Sequence, residues 1–258
     1  MADDAPSVPQ LVEELDRILA ERTRRGLSVT ALGGVAIYRR ATRRELFEQL
    51  GRGPVNDLDL VGRASERRDY RALFEELGYE VDHDRLIAGE GKRFLYHRRE
   101  PPAVEIDLFI DELDMCHRID LRQRISADRD TIPLSDLLLQ KTQIVDLTRK
   151  DVVDAVVLLA DHPVGGAEAD AVDGDYVARL LADDWGLWQT TTTSLQRIRA
   201  FADGGEAPPP VADAVRARVT ELERRIEAEP KSRRWKLRAR IGTRKQWYQV
   251  VNEGDGAF

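Results

Sequence analysis

The sequence is poor in cysteine, in lysine and in long hydrophobic runs, and these scarcities exclude several classes of protein. Its one cysteine, Cys116, rules out an internal disulfide and any zinc site built from several cysteines. No apolar run approaches the roughly 18 residues that a membrane-spanning helix needs, and the acidic first residues carry no apolar signal segment. We therefore expect a cytoplasmic protein that makes no use of a membrane.

The composition indicates a folded chain whose surface is not generally suited to nucleic acid. Hydrophobic residues make up 42% and charged residues 34% of the 258 positions, which is enough for one large domain or two modest ones. The formal net charge of -7 argues against a protein that coats nucleic acid over its whole surface. Only six of the 40 basic residues are lysine, and Lys141 stands apart from the other basic residues in an apolar stretch.

Two aspartates, Asp57 and Asp59, lie two positions apart in the alternating segment 56–62, which predicts a strand. That spacing puts both carboxylates on one face, where repulsion and desolvation favour a bound cation, Mg²⁺ above all. In a chain with 47 acidic residues, the same spacing also arises by chance on a polar strand face.

Asp107 occupies the centre of segment 104–110, the most strand-like of the sequence. If this strand pairs beside the Asp57 strand, three carboxylates converge, and such a group holds two Mg²⁺ ions for phosphoryl or nucleotidyl transfer. In the alternatives, Asp107 faces solvent, or Glu105, on the same predicted strand face, is the relevant carboxylate.

A Gly33-Gly34 pair separates a predicted strand from a predicted helix. Small residues at such a turn let backbone N–H groups approach phosphate oxygens, although a simple turn is the alternative. No Gly-Lys-Ser/Thr follows, so the pair is not a P-loop, and it is not a dinucleotide-binding motif.

Together these pieces resemble the nucleotidyltransferase fold of the polymerase-β-type superfamily over roughly residues 25 to 160. The resemblance implies an α/β (α+β) fold with a mixed sheet covered by helices, an NTP substrate and Mg²⁺ as cofactor. It also implies that the glycine pair Gly33 and Gly34 meets the triphosphate. The implied metal ligands and catalytic residues are Asp57, Asp59 and Asp107, the last of them as general base.

Segments 134–141 and 149–154 resemble the AbiEii-type toxins of type IV toxin–antitoxin systems. This resemblance implies that Lys141 contacts the nucleotide phosphates, that Asp151 or Asp154 orients the active site, and that a cognate antitoxin is a partner. The structural alternatives are a surface lysine at 141 and a helix N-terminal charge at 151.

A Pro- and Gly-containing segment at 162–166 predicts a linker, so we expect a nucleotidyltransferase domain over residues 1–161 and a mainly helical C-terminal domain over 171–258. Strands 235–241 and 246–251 are predicted to form a hairpin. Between residues 231 and 249 there are eight basic residues and no acidic one, a local field suited to polyphosphate or RNA. The candidate RNA-binding residues are Lys236, Arg238, Arg240, Arg244 and Lys245. A solvated face is the alternative.

The leading hypothesis from the sequence is transfer of an NMP from an NTP to an acceptor hydroxyl, with release of pyrophosphate. The expected acceptor is tRNA or another RNA, which would give the protein a toxin-like role. The alternatives are an enzyme that modifies a small molecule such as an aminoglycoside, and a catalytically silent nucleotide- or RNA-binding module. Retention of all three carboxylates speaks for an enzyme.

Overall fold

The computed structural model describes residues 6–82 and 91–251, and these residues divide into two compact units. The described residues of the first unit fall within Met1–Arg40, Pro54–Leu113 and Ile119–Ile132. Those of the second fall within Ala41–Gly53, Asp114–Arg118 and Pro133–Phe258. Over the described ranges, every helix is too short or too polar to cross a membrane.

A five-stranded mixed sheet forms the centre of the first unit, with the strand order β1-β2-β5-β4-β3. Its central pair, β2 and β5, is parallel, and the other neighbours are antiparallel. The predicted mixed sheet with surrounding helices is therefore confirmed. The strands of the sheet are β1 (Thr30–Leu32), β2 (Asp57–Gly62), β3 (Glu80–Val81), β4 (Arg93–Arg98) and β5 (Val104–Ile110). Four shorter strands follow: β6 (Glu112–Asp114), β7 (Arg118–Asp120), β8 (Val164–Gly165) and β9 (Val172–Asp173).

The described helices include three in the first unit and seven in the second. In chain order they are α1 (Val8–Arg25), α2 (Gly33–Arg40), α3 (Glu45–Gln49), α4 (Arg67–Glu76), α5 (Leu134–Thr142), α6 (Arg149–Asp161), α7 (Gly174–Asp183), α8 (Trp185–Asp203), α9 (Pro209–Ala228) and α10 (Arg233–Ala239). Single 3₁₀ turns span Ala64–Glu66 and Gly242–Arg244.

The first helix begins where its capping residues dictate. The Ser7 hydroxyl accepts a hydrogen bond from the Gln10 backbone N–H, and the Gln10 side chain accepts one from the Ser7 N–H at 2.8 Å. This capping box satisfies two N–H groups that the helix leaves without partners. Gly26, at φ +67°, ends the helix in the left-handed conformation that glycine adopts without strain.

The two faces of β5 have different roles. Val104, Ile106 and Leu108 point to one face, which is buried in the core of the first unit. Tyr96 of β4 stands opposite Ile106 in the register, and its ring lies 4.5 Å from the ring of Phe74 on α4. The apolar face is thus covered by a helix, and the intervening residues of β5 present their side chains on the other face.

Helices make up most of the second unit. α5 and α6, which the sequence assigned to the first predicted domain, belong to this unit. Val153, Val156 and Val157 of α6 and Val215 and Val219 of α9 are completely buried. Aliphatic burial on this scale gives the unit its own core, at about 25 cal/mol for each Å² of apolar surface removed from water.

The predicted C-terminal hairpin is wrong, because residues 233–239 form the helix α10. The Ser232 hydroxyl accepts from the Trp235 N–H at 3.1 Å and starts this helix, and Trp235 packs edge-on against Trp188 at 5.1 Å. Six residues that alternate between cationic and apolar satisfy a strand pattern, whereas on a helix the same alternation spreads the apolar side chains over different sides. The N-cap and the tryptophan contact decide in favour of the helix.

Candidate active site

Acidic residues of β2 and β5 lie side by side on one face of the sheet. The parallel register places Asp57 opposite Glu105 and Asp59 opposite Asp107. Register partners of a parallel pair point to the same face, so four acidic side chains share it. Asp57 and Asp59 are half-buried, Glu105 is exposed and Asp107 is only 4% exposed. Such a face carries concentrated negative charge, and adjacent like charges are destabilising unless a cation compensates for them.

Gly33 lies in direct contact with this acidic face. It follows Leu32, the register partner of Asp59, and begins α2 with φ at +76°. A Cβ atom at position 33 would lie 1.8 Å from the Asp59 Oδ2 atom, so no larger residue fits while Asp59 keeps its place. The strand-to-helix turn and the Asp-x-Asp strand, two separate motifs in the sequence, therefore meet at one point of the structure.

We expect Gly33→Ala to reduce the activity proposed below by about 10²-fold or more, because displacing a reacting group by about 1 Å costs that much. The substitution must move the Asp59 carboxylate or the β1–α2 turn. Gly26→Ala is the matched control, since Gly26 also has a positive φ of +67° but nothing within 4 Å of the added methyl. Equal losses of activity in the two variants, measured by label transfer at equal folded concentration, would contradict the contact.

Arg93 of β4 holds the carboxylate of Asp107. Its Nε donates to Asp107 Oδ1 at 2.7 Å and its Nη2 donates to Oδ2. The two residues therefore form a bidentate, or two-pronged, ion pair. The guanidinium carbon also lies 4.9 Å from the centre of the Phe109 ring. Paired and hydrogen-bonded in this way, a buried carboxylate avoids the full cost of desolvation. The sequence gives no signal that Arg93 pairs with Asp107, because the two residues meet only through the pairing of β4 with β5.

The acidic face offers carboxylate oxygens for Mg²⁺ at Asp57 and Asp59, whereas both oxygens of Asp107 accept from Arg93. Carboxylate oxygens are the ligands this ion prefers, and those of Asp57 and Asp59 stand half-buried on one strand. Within residues 6–82 and 91–251, no three His, Cys, Asp or Glu side chains are grouped so that they could hold a metal ion. Asp57 and Asp59 fit as ligands, whereas Asp107 is hydrogen-bonded to Arg93 through both oxygens.

Lys141 lies in the second unit at the centre of a buried ion cluster. Its Nζ is 3.0 Å from Asp151 Oδ1 and 3.0 Å from Asp154 Oδ2, and Asp154 also accepts from Arg52 Nε at 2.7 Å and Nη2 at 2.9 Å. Burial opposes the charge of Lys141, but the two carboxylates outweigh it and raise the pKa of the amine well above its usual value. Burial likewise opposes ionisation of Asp154, yet Lys141 and Arg52 hold the pKa of this carboxyl below its usual range.

These contacts test the two structural alternatives for the cluster, a surface lysine at 141 and a helix N-terminal charge at 151. The surface-lysine alternative for Lys141 is wrong, because the residue is buried. Asp151 does act at a helix start, since its Oδ2 accepts from the Thr148 N–H at 3.2 Å and from the Thr148 hydroxyl at 2.7 Å. The predicted role of Lys141, Asp151 and Asp154 toward a nucleotide stays a prediction.

The candidate RNA-binding residues differ in their surroundings. Lys236, Arg240, Arg244 and Lys245 are exposed. Arg238 is half-buried: it donates to the backbone carbonyls of Gly242 and Lys245, and its guanidinium carbon lies 4.6 Å from the Trp185 ring centre. Arg238 therefore fastens the end of α10 to the second unit, and the exposed cations around it remain accessible to solvent.

Comparison with known proteins yields structural similarity without a match in sequence. No protein-family model matches the chain, and no curated protein matches it. The chain is similar to the crystal structure of an antigenic nucleotidyltransferase-like protein from Paracoccidioides brasiliensis, with 13% sequence identity and a TM-score of 0.43. The match covers 88% of this chain and 97% of that one. A similarity of this size assigns no activity.

Proposed function

We propose that the protein is an Mg²⁺-dependent nucleotidyltransferase that transfers an NMP from an NTP to an acceptor hydroxyl and releases pyrophosphate. The observation that supports this most directly is the contact of Gly33 with Asp59, beside Asp107 in the neighbouring strand. A glycine turn at the start of a helix, next to carboxylates on two parallel strands, combines a phosphate-binding element with metal-ligating atoms. The same order of elements carried the resemblance in the sequence.

In this proposal, each residue of the acidic face has a separate task. Bound to Asp57 and Asp59, Mg²⁺ would neutralise charge on the transferred phosphoryl group and on the leaving pyrophosphate. Gly33 and Gly34 let backbone N–H groups come close to the phosphate oxygens, because no side chain stands between them. Asp107 accepts the proton of the acceptor hydroxyl, the task of a general base.

RNA is the acceptor we propose, with tRNA as the first candidate. The support is the cluster of exposed cations at Lys236, Arg240, Arg244 and Lys245 in a chain of net charge -7. Contacts between such cations and phosphates dominate the affinity of proteins for nucleic acid. Modification of tRNA would give the protein the toxin-like role that the resemblance implies, with a cognate antitoxin as its restraining partner.

Incubation with each α-labelled NTP, Mg²⁺ and total tRNA tests the activity and the acceptor together. Label that migrates with tRNA on a denaturing gel supports the proposal. In a parallel reaction that contains an aminoglycoside in place of tRNA, label transferred to the aminoglycoside, with none on tRNA in the first reaction, would support the small-molecule enzyme instead. Binding of NTP or RNA without transfer would indicate the silent binding module.

For RNA as acceptor, we expect Arg240→Gln/Lys245→Gln to weaken tRNA binding and to reduce its salt dependence. The logarithm of the binding constant falls with the logarithm of the salt concentration, and each lost phosphate contact makes this slope shallower by about 1. The double variant should therefore have a slope shallower by about 2. Arg67→Gln/Arg68→Gln removes two exposed cations of α4 and serves as the matched control. A filter-binding titration at several salt concentrations measures both slopes, and equal slopes would contradict the assignment of the basic segment.

A further inference from the structure

Arg93 occupies the position of a cation in the acidic face of β2 and β5. Its guanidinium meets both oxygens of Asp107, and Asp107 stands in register with Asp59. The Asp107 side chain is 6% exposed and that of Arg93 is 22% exposed. A carboxylate as buried as this needs a positive partner, and removal of that partner is costly.

We propose that Arg93 is an internal counter-ion which Mg²⁺ and the nucleotide displace from Asp107 when they bind. This inference rests on the proposed function. Arginine and a divalent cation are attracted to the same carboxylate, and the positive charge of each disfavours the other at close range. The ion pair therefore stabilises the face before the ligand arrives and lowers its affinity for the metal.

The displaced guanidinium has a second partner in the same reaction. Arginine binds phosphate oxygens with the two-pronged geometry that it uses here for Asp107. Its side chain is partly exposed and lies along the Phe109 ring, so a turn about its side-chain bonds can move the charge without moving β4. Arg93 thus passes from the carboxylate to a phosphate of the NTP, and Asp107 becomes available as ligand and general base. Arg93 is a positioning residue for Asp107 and a binding residue for the nucleotide.

Arg98→Gln provides a closely matched control for Arg93→Gln. Arg98 lies on the same strand, but its register partner Val104 belongs to the opposite, apolar face of the sheet. Its Nη1 donates to Glu14 Oε2 of α1 at 3.1 Å. The Arg98 and Glu14 side chains are 15% and 8% exposed, close to the values of the Arg93–Asp107 pair. Both substitutions remove one half-buried guanidinium from a buried carboxylate.

The test compares Mg²⁺ affinity by calorimetry with melting temperatures in EDTA and in Mg²⁺. We expect both variants to melt below the wild type in EDTA. Only Arg93→Gln should bind Mg²⁺ more tightly, by about tenfold, and should gain more from Mg²⁺ in melting temperature. In this variant, NTP should add less to the affinity for Mg²⁺ than it does in the wild type, because the guanidinium that would bind an NTP phosphate is lost.

Unchanged or weaker Mg²⁺ binding by Arg93→Gln would overturn the proposal and leave Arg93 as a structural ion pair. If that variant does not fold, Arg93→Lys decides: it keeps the charge without the paired N–H donors of arginine, so Mg²⁺ affinity should stay close to the wild-type value while affinity for Mg²⁺–NTP falls. A Mg²⁺–NTP affinity equal to that of the wild type would overturn the inference. Failure of the proposed function gives a different result. If the protein is not a nucleotidyltransferase, the wild type transfers no label. The Mg²⁺ affinities of the wild type and Arg93→Gln can still be compared in that case, because calorimetry does not depend on label transfer.

Discussion

Replacement of Asp57 by asparagine is expected to lower label transfer by about 10³-fold or more while leaving the protein folded. The substitution keeps the size of the side chain and removes the charge that Mg²⁺ coordination needs. Loss of several kcal/mol of transition-state stabilisation corresponds to this factor, since each 1.36 kcal/mol is tenfold in rate. Four acidic side chains share the face of Asp57, so neutralising one relieves repulsion and should leave the stability of the metal-free protein close to that of the wild type.

Melting curves with and without Mg²⁺ and NTP separate this role of Asp57 from a structural one. In the variant, the stabilisation by Mg²⁺ and NTP should fall together with the activity, because stabilisation by a ligand follows its affinity. Asp120→Asn is the control, since Asp120 is an exposed strand aspartate of the same unit that pairs with Arg122. An Asp57→Asn protein that melts far below the wild type and still transfers label would end the catalytic assignment.

Replacement of Asp154 by alanine is expected to cost about 3–5 kcal/mol of unfolding free energy, the largest effect on stability that we predict. Asp154 is completely buried and accepts hydrogen bonds from Arg52, beside an ion pair with Lys141. Its loss removes the carboxylate that Lys141 and Arg52 share, and taking one partner out of a buried ion network is strongly destabilising. Urea unfolding monitored by tryptophan fluorescence measures the change, since all four tryptophans lie in the second unit.

Two further variants identify charge as the cause. Asp154→Asn keeps the volume, so a loss similar to that of Asp154→Ala assigns the cost to the charge and not to a cavity. Asp203→Ala removes an exposed carboxylate that pairs with Arg216 and should leave stability almost unchanged. A loss of less than about 1 kcal/mol in Asp154→Ala would contradict the importance of the cluster.

The pH dependence of this stability follows from the two pKa directions. Asp154 has a lowered pKa in the folded protein, so its contribution is complete above the ordinary aspartate value and is lost as pH falls through the folded value. Lys141 has a raised pKa, so its contribution is complete below the ordinary lysine value and is lost only as pH rises through the folded value. The stabilisation that these two groups give the wild type should therefore be constant from about pH 5 to 9, which urea unfolding at several pH values measures.

Local rules were sufficient to predict much of the first unit. The strand of Asp107 was predicted with the bounds 104–110 that the structure shows, because side chains alternate strictly along a strand. The same alternation places Asp57 and Asp59 on one face whatever lies beside them. The start of α1 at Val8 follows from the Ser7 capping box, which is also a local feature.

Pairings between distant residues were decided by the tertiary structure alone. The sequence shows Gly33, Asp59 and Arg93 as separate features, and only the strand order β1-β2-β5-β4 brings them to one face. Arg52 pairs with Asp154, which also pairs with Lys141, although Arg52 and Asp154 lie about a hundred positions apart in the sequence. No spacing in the sequence predicts a contact over that distance. The helix at 233–239 replaced a predicted strand because a cap and a tryptophan contact outweighed a six-residue pattern. Periodicity and capping depend on residues that are neighbours along the chain. Ion pairs and strand register depend on tertiary contacts between residues far apart in the sequence.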